Sequence, residues 1–357
     1  SWLCAICARQ EPMCSVSTNL NVDNQKGLPL VMGDYSGYLQ GLSLVAILVL
    51  APIALQSLLS GDSEVVYVFI PGEDETTTIY IENNSSSEEA RAPELNRSEV
   101  ARIASFNIKV FGETKMGKPA VVDALVDIIL SYDLVAVQEI KDIDQPVPYD
   151  FLAAINAKSS TPWDMLLSPR SGLQDDDQSS QEQYAFYYNT SVFYAIGNGT
   201  LHNDSIDDSF QREPFIGQFE VLDSNGTGTG FDLSLITVHT KPGDETIDEI
   251  NALPNVVNTY LENNPNETEI VILGDFNAAC SYVSSNELSN SPLAHSNYTW
   301  IIENNVDTTV SDSYCAYDRI VTNGDLDGRL VGTWGVDTSF TDSDISDHYP
   351  VWFDIKK

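Results

Sequence analysis

The chain has 357 residues, room for one large domain or two ordinary ones with an ample core. Its 17 Lys+Arg stand against 53 Asp+Glu, a formal net charge of −36, which excludes the chain-wide basic surface by which most nucleic-acid binders hold a polyanion. Lysine is scarce and the acids are spread along the chain, as in proteins that stay hydrated in concentrated salt. At about 1 M salt the Debye length is about 3 Å, so a salt-loving source reconciles this acidity with a polyanionic ligand; a merely acidic surface protein is the alternative.

Residues 1–41 hold Cys4, Cys7 and Cys14. Cys4-X-X-Cys7 lacks a fourth ligand, and reads as free or lipid-proximal thiols rather than a zinc site. Residues 42–60 are next, and within them Leu42 to Leu59 form an uncharged apolar run broken only by Ser43, Pro52, Gln56 and Ser57, at the short limit of a membrane span. A buried core helix fits less well, because no amphipathic stripe is visible and Pro52 would break it. A cleaved signal peptide is disfavoured by the 41 residues that precede the run. The expectation is an uncleaved anchor through residues 42–59. Arg9 and Lys26, the basic residues before the run, put the N-terminus inside and the bulk of the chain outside.

Residues 61–100 read as a short hairpin, with strands over Val65–Ile70 and Thr76–Glu82, followed by an acidic polar tether. From residue 101 to 357, strands alternate with helical segments. Strands are predicted over 101–109, 134–138, 184–188, 193–196, 217–221, 231–238, 270–273, 318–321 and 351–355, with helices over 119–130, 149–157 and 245–263. This is an α/β or α+β pattern. Asn-X-Ser/Thr sequons at Asn83, Asn84, Asn96, Asn189, Asn198, Asn203, Asn225, Asn266 and Asn297 favour an exported, glycosylated protein. A bridge between Cys280 and Cys315 would close a loop of about 35 residues, worth roughly 3–4 kcal/mol in the chain-entropy model.

Gly274-Asp275-Phe276-Asn277 follows the apolar run 269–273, so a carboxylate and an amide emerge from the end of a buried strand. Ser346-Asp347-His348-Tyr349-Pro350 sets an acid and an imidazole before a closing strand. With Asn107 in Ser105-Phe106-Asn107-Ile108 and Glu139 after Val135-Ala136-Val137-Gln138, these clusters point to metal-assisted phosphodiester hydrolysis.

The same clusters, with Phe111-Gly112-Glu113-Thr114-Lys115-Met116, Gln138-Glu139-Ile140-Lys141-Asp142, Ser209 to Pro214, Gly274 to Tyr282 and Cys315-Ala316-Tyr317-Asp318-Arg319-Ile320-Val321, resemble the deoxyribonuclease I family of the endonuclease/exonuclease/phosphatase superfamily over residues 101–356. The resemblance implies a four-layer sandwich, two packed β-sheets flanked by helices, with the site at one edge. It implies that Glu139 and Asn107 hold Mg²⁺ (or Mn²⁺), helped by Asp275, Asn277 and Asp347. It implies two His–carboxylate pairs, His239 with Glu182 and His348 with Asp318, in which each acid orients its imidazole so that one ring takes a proton from water and the other supplies one to the leaving oxygen. Structural Ca²⁺ is implied at Asp307, Thr309, Ser311 and Ser313, and more weakly at Asp208, the Phe210 carbonyl and Glu213. Lys141, Arg212 and Tyr282 become candidate DNA contacts. The chain departs from the family in three places: Lys141 stands where an arginine is expected, Ser180 where a tyrosine is expected, and His202 and Ser205 replace the cysteines of a small loop.

These readings converge on an exported, membrane-tethered endonuclease at the cell surface that takes DNA and uses Mg²⁺ and Ca²⁺. Two alternatives stay open. One is a structural surface or filament protein that borrowed the fold and forms homo-oligomers through its N-terminal region. The other is a phosphodiesterase for lipids or nucleotides.

Overall fold

The computed structural model describes residues 65–68, 77–80 and 97–357. Contacts divide the chain into two compact units, Ser1–Glu89 and Ala90–Lys357. In the first, β1 (Val65–Val68) and β2 (Thr77–Tyr80) pair antiparallel, Val65 opposite Tyr80, as the predicted hairpin requires. The apolar run 42–59, Cys4, Cys7 and Cys14 lie outside the described residues. Among those described, no helix is long and apolar enough to cross a membrane.

In the second unit the strands are β3 (Val100–Phe111), β4 (Leu134–Ile140), β5 (Trp163–Leu167), β6 (Gln183–Asn189), β7 (Phe193–Leu201), β8 (Phe215–Leu222), β9 (Gly228–His239), β10 (Ile270–Asp275), β11 (Thr299–Trp300), β12 (Asp318–Thr322), β13 (Leu330–Val336) and β14 (Val351–Lys356). They form two six-stranded mixed sheets, ordered β13-β14-β3-β4-β6-β5 and β11-β12-β10-β9-β8-β7. The helices are α1 (Glu113–Met116), α2 (Pro119–Ile129), α3 (Val147–Lys158), α4 (Thr246–Asn263) and α5 (Ser285–Ser289). Three apolar clusters define the layers. One fills the space between the sheets, where Phe186 stacks on Phe215 at 5.5 Å and meets Phe219 edge-on at 5.6 Å. A second joins the outer face of the first sheet to Leu125 and Ile129 of α2 and Phe151 and Ile155 of α3. The third joins the second sheet to Ile250, Leu253, Val256 and Val257 of α4. The four-layer sandwich expected from the resemblance is therefore present.

The helical predictions rest on apolar residues spaced three and four apart, which give α2 and α4 one buried face. Helix α3 starts two residues earlier than predicted, at Val147, because prolines are tolerated in a first turn whose N–H groups have no helical partner. Strands β5, β11 and β13 were not predicted. All three lie at or beside sheet edges, and β13 carries Gly332 and Gly335 among half-exposed residues, so no strict alternation marks it.

Two parallel pairs set the site. Strand β3 runs parallel to β4, and β9 parallel to β10, so the carboxyl ends of four strands meet at one edge of the sandwich. Gly274 has φ +148°, and a Cβ there would lie 2.0 Å from the Val238 carbonyl oxygen. Only glycine lets β10 approach β9 this closely at the position before Asp275.

Candidate active site

Register brings the second sheet's chemistry onto one rung. Asp275 at the end of β10 is paired with His239 of β9 on one side and with Asp318 of β12 on the other. Across the sandwich, Asn107 of β3 sits opposite Gln138 of β4. Glu139 follows at φ +60°, a left-handed turn that bends the strand. Gln138 is buried between the sheets and donates to Thr237 Oγ1 at 2.8 Å and Ser105 Oγ at 3.1 Å, which fixes one sheet's edge against the other.

Asn107 links the two halves. Its Nδ2 donates to Glu139 Oε1 and to Asp275 Oδ2, both at 3.0 Å. Glu139 Oε2 accepts from the Val110 amide at 2.8 Å. Asp275 Oδ1 accepts from the Asn277 amide at 2.9 Å, and Asn277 Nδ2 donates to the Thr240 carbonyl at 3.0 Å.

Two imidazoles face this acidic centre. His239 Nδ1 lies 2.7 Å from Glu182 Oε2, and His348 Nδ1 lies 2.8 Å from Asp318 Oδ2. The Nε2 atoms of both rings then stand 3.6 Å from the same oxygen, Asp275 Oδ2. The arrangement is pseudo-symmetric, with each ring backed by its own buried carboxylate and aimed at a shared point.

The electrostatics follow. Burial pushes the Glu182 carboxyl up, but His239, Arg212 and Lys141 outweigh it and bring it to about 2. Burial pushes both imidazoles down. For His239 the Glu182 charge overcomes burial, against a smaller opposing push from Arg212, and the net direction is up. For His348, Asp318 and Asp275 overcome burial and carry it to about 10.

The candidate DNA contacts take up positions around this centre. Lys141 Nζ lies 3.2 Å from Glu182 Oε1 and stays partly exposed. Arg212 is 5% exposed. Its guanidinium donates to the carbonyls of His239 and Thr240 at 2.9 and 3.0 Å and stands 3.5 Å from Glu182. The geometry thus gives Arg212 a bracing task behind His239, where a direct phosphate contact had been expected. Tyr282 lies against Tyr317, ring centroids 5.5 Å apart, and Tyr317 in turn is 6.1 Å from the His348 ring. Asp347 is half exposed at the rim, ion-paired with Lys109 at 2.9 Å, with Oδ1 3.9 Å from His348 Nε2.

The donor set fits a divalent cation. Glu139 and Asp275 offer hard carboxylate oxygens to either side of Asn107, and Asp318 Oδ1 is buried without a hydrogen-bond partner. Asp275, Asp318 and His348 have ligand atoms within 4.8 Å of one another, but Asp318 and His348 are engaged with each other, which leaves the Glu139 and Asp275 carboxylates, with the Asn107 amide between them, as the candidate holders. At the 307–313 loop, Asp307 Oδ1 accepts from Thr309 N and Cys315 N, and Thr309 Oγ1 stands 3.0 Å from the same oxygen. Thr309 Oγ1 donates to the Ser313 carbonyl, Ser311 Oγ donates to Thr309 Oγ1, and the Ser311 and Ser313 hydroxyls pair. The four expected residues thus turn their oxygens towards one another. At the second expected calcium position Asp208 is exposed at φ +48° and Phe210 is buried, while Glu213 Oε2 is buried and unpartnered. Cys280 and Cys315 are bridged.

Several contributors carry no signal when the single sequence is read by itself. The Tyr184 hydroxyl accepts from the His239 amide at 3.0 Å. Thr308 Oγ1 accepts from the amides of Tyr317 and Asp318, and Ser346 Oγ donates to the Asn107 carbonyl at 2.6 Å.

Comparison with known proteins agrees with this fold. Residues 104–348 match the family model described as Endonuclease/Exonuclease/phosphatase family. Deoxyribonuclease-1 of Gallus gallus is 33% identical over 270 residues, 71% of this chain and 92% of that protein. Deoxyribonuclease gamma of Rattus norvegicus is 32% identical over 271 residues, 71% of this chain and 84% of that protein. Among solved structures, the endonuclease/exonuclease/phosphatase from Bacteroides vulgatus has the same fold, with a TM-score of 0.52, 15% identity and coverage of 72% of this chain and 98% of that one. With its two-sheet sandwich and paired His–carboxylate edge, the chain belongs to the Endonuclease/Exonuclease/phosphatase family as a deoxyribonuclease I-like member.

Proposed function

We propose that this protein is a divalent-metal-dependent endonuclease that hydrolyses phosphodiester bonds of DNA. The observation that carries the reading is the convergence of His239 Nε2 and His348 Nε2 on Asp275 Oδ2, 3.6 Å from each. A phosphodiester seated there has an imidazole on either side. One ring takes the proton of an attacking water while its oxygen bonds to phosphorus. The other gives its proton to the sugar oxygen as the P–O bond breaks. Glu182 and Asp318 orient the rings and stabilise their charged forms. A Mg²⁺ or Mn²⁺ ion at Glu139, Asn107 and Asp275, with Asp347 at the rim, would supply charge neutralisation for the phosphate. Lys141 and Tyr282 are the proposed contacts for the DNA backbone, and Arg212 keeps His239 and Glu182 in place. Ca²⁺ at Asp307, Thr309, Ser311 and Ser313 would stiffen a loop that pairs with the segment carrying His348 through the isolated Thr309–His348 bridge. A second Ca²⁺ is proposed at Asp208, Phe210 and Glu213.

The wider reading places this nuclease outside the cell, tethered through residues 42–59, in a salt-loving organism. The sequon residues Asn198, Asn203, Asn225, Asn266 and Asn297 are all exposed, which supports export, and the −36 charge supports high salt. The test is nicking of supercoiled plasmid in high salt, with chelator and with Mg²⁺, Mn²⁺ or Ca²⁺ restored, beside RNA and a small phosphodiester. Cation-dependent conversion to the open circle is expected. Intact plasmid with cleavage of the small substrate would overturn the DNA reading in favour of a lipid or nucleotide phosphodiesterase.

A further inference from the structure

Lys115 lies outside the catalytic set but beneath it. It is 9% exposed, on the one-turn helix α1. All three of its ammonium protons go to backbone carbonyls: Ile108 at 2.8 Å, Lys109 at 2.7 Å and Ile345 at 2.8 Å. An ammonium has three donors, so the group is saturated without a carboxylate or a surface position. Burying a charged side chain this way needs a structural reason.

The three carbonyls belong to the two segments that shape the site. Ile108 and Lys109 lead into a left-handed stretch, with Lys109 at φ +31° and Val110 at φ +49°. Neither is glycine, so the stretch is strained. It places the Val110 amide on Glu139 Oε2 and the Lys109 amide, at 2.9 Å, on Asn107 Oδ1. Ile345 precedes Ser346, whose hydroxyl donates to the Asn107 carbonyl and accepts from the His348 amide at 3.1 Å. One ammonium therefore ties the turn that orients Glu139 and Asn107 to the loop that presents Asp347 and His348.

We infer that Lys115 is a positioning residue of this site, a buried ammonium that substitutes for a structural cation and holds the metal-binding acid and one imidazole in register. The inference rests on the nuclease reading for its activity arm and on the donor set alone for its binding arm. The sign of its effect separates it from simpler roles. As a charge alone, Lys115 would repel a cation, and its removal would tighten binding. If it only stabilised the fold, removal would leave the affinity of folded protein unchanged. As a positioning group, its loss would weaken cation binding.

The experiment uses the full chain as wild type, Lys115→Met and Lys115→Gln. Methionine keeps the length and removes every donor; glutamine keeps two donors and no charge. Mn²⁺ binding is followed by the electron paramagnetic resonance of free Mn²⁺, with nicking rates at saturating cation and thermal melting alongside. For Lys115→Met the Mn²⁺ dissociation constant should rise about 10- to 100-fold and kcat fall by about as much, the range typical of groups that orient metal ligands. KM for DNA should stay within about threefold, and Lys115→Gln should fall between. Should the Met variant not fold, the Gln variant decides by the same signs. Affinity and kcat within about threefold of wild type in a folded variant, or tighter Mn²⁺ binding, overturns the inference. A wild type that binds Mn²⁺ but leaves plasmid intact would instead sink the nuclease reading, and the binding comparison would still judge Lys115.

Discussion

Glu182 is the carboxylate whose part in catalysis can be given a magnitude. It is 2% exposed and accepts from His239 Nδ1 across 2.7 Å, with Lys141 and Arg212 at 3.2 and 3.5 Å. Glu182→Gln keeps the volume and one acceptor oxygen but removes the charge. A hydrogen bond to a charged group is worth about 1.5–3 kcal/mol, and each 1.36 kcal/mol is about a factor of ten in rate. The expected fall in kcat is therefore about 10- to 150-fold. Losing a negative charge also releases Lys141 and Arg212, so KM for a polyanion should not rise. The charge of Glu182 overcomes burial to lift His239; in the variant the His239 titration, and its limb of the pH–rate profile, should move to lower pH. Plasmid nicking across pH, with imidazole proton shifts by nuclear magnetic resonance, measures both. In a double-mutant cycle Glu182→Gln should add little to His239→Ala, because the pair acts as a unit. Full additivity, or a loss confined to KM with an unmoved pH limb, would refute the role.

His239→Ala and His348→Ala should each lower nicking by about 10²- to 10⁴-fold, and Glu139→Gln should raise the Mg²⁺ concentration needed for half-maximal rate; initial rates against cation concentration check all three. Without divalent cations, His348 is raised from 6.5 to about 10, so its contribution to stability is full below about pH 6.5 and is lost as pH rises through 10. Glu182, lowered from 4.5 to about 2, contributes above about pH 4.5 and loses its part as pH falls through 2; melting temperature against pH should show both flanks. Replacing Cys280 and Cys315 by serine opens a loop of 35 residues and should cost about 4 kcal/mol, read by denaturant titration. Residues 101–357 carry 13 Lys+Arg against 40 Asp+Glu, a net −27; screening of this repulsion should keep nicking flat or rising as NaCl goes from about 0.1 to 1 M. A steep fall in folded protein would discount adaptation to salt.

The chain alone determined much of this protein. Apolar runs ending in Gly274-Asp275-Phe276-Asn277 and Gln138-Glu139 announced buried strands with acids at their carboxyl ends, and helical spacing located α2, α3 and α4, because periodicity and strand termini are local properties. The family resemblance assigned His239, His348 and Asp318 through their motifs, and Glu182 only as the partner expected for His239. What a linear reading could not supply was the partner of each polar group, since partners distant in sequence meet only when the sheets pack. Arg212 looked like a free cation for phosphate, and in the fold it is enclosed behind His239. Lys115 looked like one letter of a motif, yet its ammonium binds strand β3 to a loop 230 residues away. Edge strands such as β13 escaped notice because an edge has one neighbour and a weak pattern. The rung of His239, Asp275 and Asp318 exists only because β9, β10 and β12 are adjacent, and adjacency of strands is settled by which apolar faces can be buried together.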